Sequence, residues 1–236
     1  MNFNVELFKN ETKKIGLSIG EDVISSLDRF AGMLIETNKV MNLTAILDPD
    51  GIAVKHFADS LSILKAADFF DNARVLDMGT GAGFPGVPLL IAKPGIDLTL
   101  MDSTAKKLGF VQSSIDNLGL SAVTLHSRAE DAGKSEEYRE SFDFVVSRAV
   151  ASLNVLCEYC LPFVKKGGCF IAMKGAAAQD EIKQAYTAIK TMGGEIEKTI
   201  DFELSDGARS LVVIKKISNT PAKYPRNSGQ IKSKPL

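Results

Sequence analysis

From residue 74 onward, short apolar runs alternate with longer stretches whose apolar residues recur every three or four positions. The short runs, near 74–78, 97–102, 122–127, 142–147, 168–174, 194–202 and 210–216, predict strands. The stretches near 84–92, 104–118, 151–164 and 177–192 predict helices, the last ended by Gly193-Gly194. Alternation at this spacing predicts a seven-stranded, mainly parallel sheet covered on both faces, an α/β fold. The gap between the last two runs is too short for a crossover helix, so they form a hairpin and one of them runs antiparallel.

Before residue 74 the pattern is helical. Val23, Ile24, Leu27, Phe30, Leu34 and Ile35 form the stripe of an amphipathic helix. The stretch Asn38 to Thr44 breaks that period, and Asp48-Pro49-Asp50-Gly51 is a turn. A second helix carries Val54, Phe57, Leu61 and Leu64 on its apolar side, with Lys55, His56, Asp59 and Ser60 on or beside the other. His56 and Asp59, one turn apart, either orient a substrate or cofactor group or make a surface hydrogen bond. The expected organisation is a helical extension over 1–70, a core over 71–217 and a basic C-terminal tail over 218–236.

The most informative stretch is Val75-Leu76-Asp77-Met78-Gly79-Thr80-Gly81-Ala82-Gly83-Phe84-Pro85-Gly86. It reads as strand, glycine-rich loop and helix start, the first βα unit of a nucleotide-binding sheet. Gly81 to Gly86 also satisfies the G-x-G-x-x-G pattern of dinucleotide binders, so the glycines alone do not choose a ligand. Asp77 separates the readings, because a carboxylate facing the loop mouth repels a pyrophosphate and suits the ammonium and sulfonium of S-adenosylmethionine. Asp102 ends the next apolar run and is placed to accept hydrogen bonds from ribose hydroxyls in either cofactor class. A nicotinamide or flavin nucleotide remains the alternative, as does a loop whose glycines and Asp77 serve only the turn.

Composition excludes little. No apolar run approaches the roughly 20 residues that span a bilayer, and Met1 to Glu6 lacks a signal-peptide pattern, so a cytoplasmic protein is expected. Three cysteines argue against a disulfide framework, and Cys157 and Cys160 lie in a helical pattern without further ligands for a metal. They read as buried apolar residues, with no metal site. Residues 207–236 hold seven basic residues and no acid, which leaves −8 on the rest of a chain whose net charge is −1. That asymmetry fits either a local contact with a polyanion or a solvated tail.

In sheets of this type ligands bind beyond the C-terminal strand ends. The residues there are Asp77 and Gly79, Asp102 and Ser103, Ser127 to Glu130, Ser147 and Arg148, and Lys174 and Gly175. Glu130-Asp131 either holds an adenine amino group or favours a helix N-terminus. The fourth strand ends in Ser147-Arg148-Ala149, where amino-group methylation commonly uses an Asp/Asn-Pro-Pro-aromatic run. No cysteine follows a proline as a nucleophile for pyrimidine carbon-5, and no C-x-x-x-C-x-x-C cluster serves radical chemistry. An acceptor that is already nucleophilic remains. Guanine N7 fits, with Arg128, Arg148, Lys174 and Arg209 on phosphates and base, although oxygen and small-molecule acceptors also survive. Arg148 and Lys174 are the candidates for a catalytic role, which the residues do not otherwise assign.

The stretches Asn38 to Thr44, Lys55 to Ser60, the glycine loop with Phe84-Pro85-Gly86, Asp102-Ser103, Ser127 to Glu130, Ser147 to Ala149, Lys174-Gly175 and Arg209 to Lys215 together resemble one family over essentially the whole chain. It is the RsmG, or glucose-inhibited division protein B, family of bacterial small-subunit rRNA guanine-N7 methyltransferases. The resemblance implies a Rossmann-like class I methyltransferase that uses S-adenosylmethionine on a guanine in the 530 loop of 16S rRNA within the small ribosomal subunit. By position it implies that Gly79, Phe84, Ala129, Glu130 and Arg148 contact the cofactor, alongside Asp77, Gly81 and Asp102 from the loop reading. It further implies that Arg128, Lys174 and Arg209 line an RNA cleft. A nucleotide-binding oxidoreductase and a non-catalytic RNA-binding module are the competing functions, the latter motivated by the basic C-terminal segment.

Overall fold

The computed structural model describes residues Met1–Leu236. Its centre is one seven-stranded sheet in the order β3-β2-β1-β4-β5-β7-β6. The strands are β1 (Arg74–Met78), β2 (Asp97–Asp102), β3 (Val123–His126), β4 (Phe142–Arg148), β5 (Val164–Gly175), β6 (Gly194–Leu204) and β7 (Gly207–Lys216). The first five run parallel, and β7 is inserted antiparallel between β5 and β6. All seven expected strands form, and the hairpin is β6–β7.

Alternation along the central strands assigns their apolar side chains to one of two cores. Val75, Leu98, Leu100, Phe144, Val146, Ile171, Leu211 and Val213 face the first core. Leu76, Met78, Met101, Val145, Phe170, Ala172, Val212 and Ile214 face the second. The first core is closed by α1 (Val5–Lys14), α2 (Glu21–Asn38), a continuous helical segment α3 over 49–65, α4 (Gly86–Ala92) and α5 (Ala105–Leu118). The second is closed by α6 (Ala129–Ala132), α7 (Leu153–Cys160), α8 (Ala178–Thr191) and the C-terminal α9 (Ser228–Ser233).

Helix α2 buries Ile24, Leu27, Phe30 and Leu34, as its stripe predicts. Helix α3 departs from expectation. Residues Ile52–Ala58 wind as a π-helix, and its wider turn carries His56, Asp59 and Ser60 into the interior beside Phe57. The expected polar side of this helix is therefore buried except at Lys55. Residues 217–236 fold back over the second core, with Tyr224 and Ile231 buried. No helix is long and apolar enough to cross a membrane.

Candidate functional site

The C-terminal ends of β1, β2 and β3 open onto a recess. It is lined by Gly79, Asp102, Ser103, Ser127, Arg128, Ala129 and Glu130, over a floor of Met78 and Met101. The glycine loop is tied down on the end of β2. Gly79 and Thr80 donate their N–H groups to Met101 O at 2.9 and 3.0 Å, and Gly81 N–H donates to Asp102 Oδ2 at 2.9 Å. Asp102 Oδ1 accepts from Thr104 N–H at 2.8 Å, so each carboxylate oxygen keeps a lone pair for a ligand hydroxyl. Gly79 has φ +74°, and a Cβ there would lie 2.6 Å from Val150 Cγ2. Only glycine serves at that position.

Asp77 is placed differently from the expectation that it faces the loop mouth. Two-residue alternation sends it to the first core, with Val75, while Met78 faces the recess. Its side chain is fully buried, and Oδ2 accepts the N–H of Gly86, the first residue of α4, at 2.8 Å. The carboxylate thereby occupies the helix N-terminus that a pyrophosphate would use. Its Oδ1 and the neighbouring Thr80 Oγ1 have no hydrogen-bond partner. Burial raises the Asp77 pKa to about 6, and hydrogen bonding and Arg148 offset only part of that rise.

A second cleft adjoins the recess across residues 149–151, lined by Arg148, Lys174, Arg209, Asp59 and Glu181. The register explains the gathering. Arg148 pairs with Met173, and Arg209 with Gly175, at one edge of the sheet. Each cation arrives already partnered. Asp59 gives one oxygen to Arg148 Nη1 and the other to Arg209 Nε, both at 2.9 Å. Arg209 also reaches Asp206 at 2.6 Å. Arg148 donates to Lys55 O at 2.7 Å and lies 5.1 Å over the Phe84 ring. Lys174 pairs with Glu181 at 2.8 Å and donates to Ala151 O at 2.6 Å. Glu181 in turn accepts the Leu153 N–H at 2.7 Å, so the pair clamps the chain at Ala151 and Leu153, just after Val150.

Gly81, Phe84 and Arg148 stand off the recess. Phe84 is buried and stacks on His56, with ring centroids 4.3 Å apart and planes 8° from parallel. The His56 Nε2 and Thr44 Oγ1 are 3.1 Å apart. Burial, reinforced by Arg148, lowers the His56 pKa to about 4, so the ring is neutral at pH 7. This His–Phe–Arg column joins α3 to the end of β4. Cys157 and Cys160 are buried on α7, and burial pushes both thiols well above their usual range.

Sequence reasoning missed Glu181, Val150, Tyr159, Ser228 and Lys232, the last four of which line the recess. The acid at Glu181 had no local signal beyond the first turn of a helix. For Ser228 and Lys232 the available signal was Asn227, whose side chain caps α9 by accepting the Gln230 N–H.

A family model described as rRNA small subunit methyltransferase G matches residues 23–212. The chain is 45% identical over 234 residues to the ribosomal RNA small subunit methyltransferase G of Alkaliphilus oremlandii, covering 98% of each chain. It is 45% identical over 239 residues to the protein of that name from Pelotomaculum thermopropionicum, covering all of both. Among solved structures, a SAM-dependent O-methyltransferase from Thermotoga maritima aligns with a TM-score of 0.53 at 14% identity, over 80% of this chain and 72% of that one. TrmN from Thermus thermophilus aligns with a TM-score of 0.53 at 18% identity, over 67% of this chain and 48% of that one. At these identities the two structures share the fold.

Proposed function

The chain belongs to the rRNA small subunit methyltransferase G family, and from that premise we propose that it methylates N7 of a guanine in the 530 loop of 16S rRNA, using S-adenosylmethionine. The observation that carries the reading is the recess at the ends of β1–β3, with its ribose-facing acid, set beside a cleft holding three cations. The substrate is the small ribosomal subunit, and the protein works in the cytoplasm.

The residues of the recess fit an adenosyl ligand. Asp102 has lone pairs for two ribose hydroxyls, Met78 and Met101 offer an apolar floor, and Glu130 with the Ala129 N–H suits the adenine edge. Gly79 admits close approach to the backbone. Asp77 supports the loop from behind through Gly86, and its negative charge favours a cationic ligand over a diphosphate. When bound, the donor supplies an electrophilic methyl group on a sulfonium.

Guanine N7 carries a lone pair and no proton, so the chain needs no general base, and its task is to align acceptor with methyl group. Lys174 and Arg209 line the cleft and take the RNA, whereas Arg128 lines the recess and not the cleft expected for it. The phosphates displace Asp59, Asp206 or Glu181 from cations that are already in place, which lowers the ordering cost. Arg148, held by Asp59 and Phe84, lines the cleft and stands off the recess, so it acts on the RNA side. The test is transfer of labelled methyl groups to small subunits lacking the modification, followed by aniline cleavage at N7-methylguanine. A single labelled site in the 530 loop is expected. Label elsewhere in the RNA, or none, overturns the assignment.

A further inference from the structure

Resting on that cofactor reading, we infer that the C-terminal segment 217–236 forms a wall of the S-adenosylmethionine recess, with Ser228 and Lys232 as cofactor-contacting residues, and that it is not an RNA-reaching arm. The segment follows β7 and lies outside the residues 23–212 that the family model matches. Its charge made it resemble a solvated polycation. The structure instead ties it to the core at three successive points and then delivers it to the recess.

The first anchor is Lys216, fully buried, which donates to Leu161 O at 2.6 Å and to Thr220 Oγ1 at 2.5 Å. Thr220 Oγ1 donates onward to Met192 O at 2.9 Å, and Thr220 N–H donates to Glu140 at 2.7 Å. The second is Arg139, whose guanidinium donates to the carbonyls of Gly133, Thr220 and Tyr224 at 2.8 to 2.9 Å. The third is the fork of Arg226 on Glu158, a carboxylate only 1% exposed, with the Arg226 N–H adding a further bond at 2.8 Å. Buried charges of this kind are costly unless fully partnered, and what they secure is a single geometry. An arm that reaches for RNA has no use for such registration.

Beyond the third anchor Asn227 starts α9, Ile231 is fully buried against the second core, and the helix sets Ser228 and Lys232 into the recess that also holds Asp102, Arg128 and Glu130. Ser228 Oγ lies 3.3 Å from Tyr159 Oη, so α7 and α9 meet at that wall. The cation count agrees. Of the four basic residues in 217–236, Arg226 pairs with Glu158 and Lys223 lies over the Tyr224 ring, which leaves Lys232, at the recess, and Lys234.

The test compares Ser228→Trp, which fills the recess from α9, and Lys232→Ala, on an exposed side chain that leaves the fold intact. Lys234→Ala, off the recess, is the control. Calorimetry with S-adenosylhomocysteine should give at least tenfold weaker binding for the tryptophan variant, threefold or more for Lys232→Ala, and no change for the control. Affinity for small subunits, measured with cofactor saturating, should stay within twofold of wild type. In the wild type, S-adenosylhomocysteine should slow amide exchange over 226–233. Wild-type cofactor affinity in both variants, with exchange over 226–233 unchanged, overturns the inference, whether RNA binding falls or not. A wild type that binds no S-adenosylhomocysteine fails the cofactor reading itself, which is a separate result.

Discussion

Replacing Asp77 with asparagine should make the protein more stable while making it a poorer binder of its methyl donor. Asp77 is fully buried, and burial raises its pKa from the ordinary 3.8 to about 6. The folded state therefore holds the proton more tightly than the unfolded chain, and stability falls as pH rises from about 4 to 6, then stays level. Above that window the ionised carboxylate costs about 3 kcal/mol at 1.36 kcal/mol per unit of pKa. Asparagine keeps an oxygen for the Gly86 N–H and removes the buried charge. Urea unfolding of both proteins between pH 4 and 7.5 should show no advantage for Asp77→Asn at pH 4 and a gain approaching about 3 kcal/mol at pH 7.5. His56, lowered to about 4, has the opposite slope between its folded and unfolded pKa, but both proteins carry it and it cancels in the difference. A destabilised variant at pH 7.5, or a gap independent of pH, refutes the reasoning. Its affinity for S-adenosylmethionine should fall, because the charge kept at this cost is lost.

Asp59→Asn frees Arg148 and Arg209 from their shared carboxylate. Stability should drop by about 3 kcal/mol, and RNA binding should gain roughly one unit in the slope of log K against log salt, read by filter binding across a salt series. A double-mutant cycle on Lys174→Ala and Glu181→Ala should give a coupling of about 1 to 2 kcal/mol in urea unfolding, since each variant undoes the same clamp on Ala151 and Leu153. Additive losses would mean that the two side chains act independently. Cys157 and Cys160 should resist thiol reagents at pH 8 until the protein unfolds, and react then at the rate of free cysteine.

Much of the sheet was legible because its strands are short apolar runs separated by stretches of helical period, and the short β6–β7 gap dictated the antiparallel strand. The helical stripe of α2 was equally plain. His56 and Asp59 were misplaced on α3 because a π-helix shifts every later side chain around the axis, and no propensity in Ile52 to Ala58 announces one. Asp77 could have been placed by carrying strand parity one step further, since Val75 and Asp77 must share a face. Parity also sets Arg148 and Arg209 against α3, with Lys174 on the other side against α8. Their partners Asp59 and Glu181 are distant in sequence, so the neutral balance of the cleft needed the fold. The basic C-terminal residues were counted correctly, but a charge count does not reveal which cations meet a buried acid.

The central claim is that the recess at the ends of β1–β3 receives the methyl donor while the adjoining cleft of Arg148, Lys174 and Arg209 receives RNA. A crystal structure of the protein soaked with S-adenosylhomocysteine tests it most directly. The account predicts the ribose hydroxyls on Asp102, the adenine beside Ala129 and Glu130, and the amino-acid end against Gly79. Adenosine density in the cleft of Arg148 and Arg209, or a dinucleotide seated on the glycine loop in competition soaks, would contradict it.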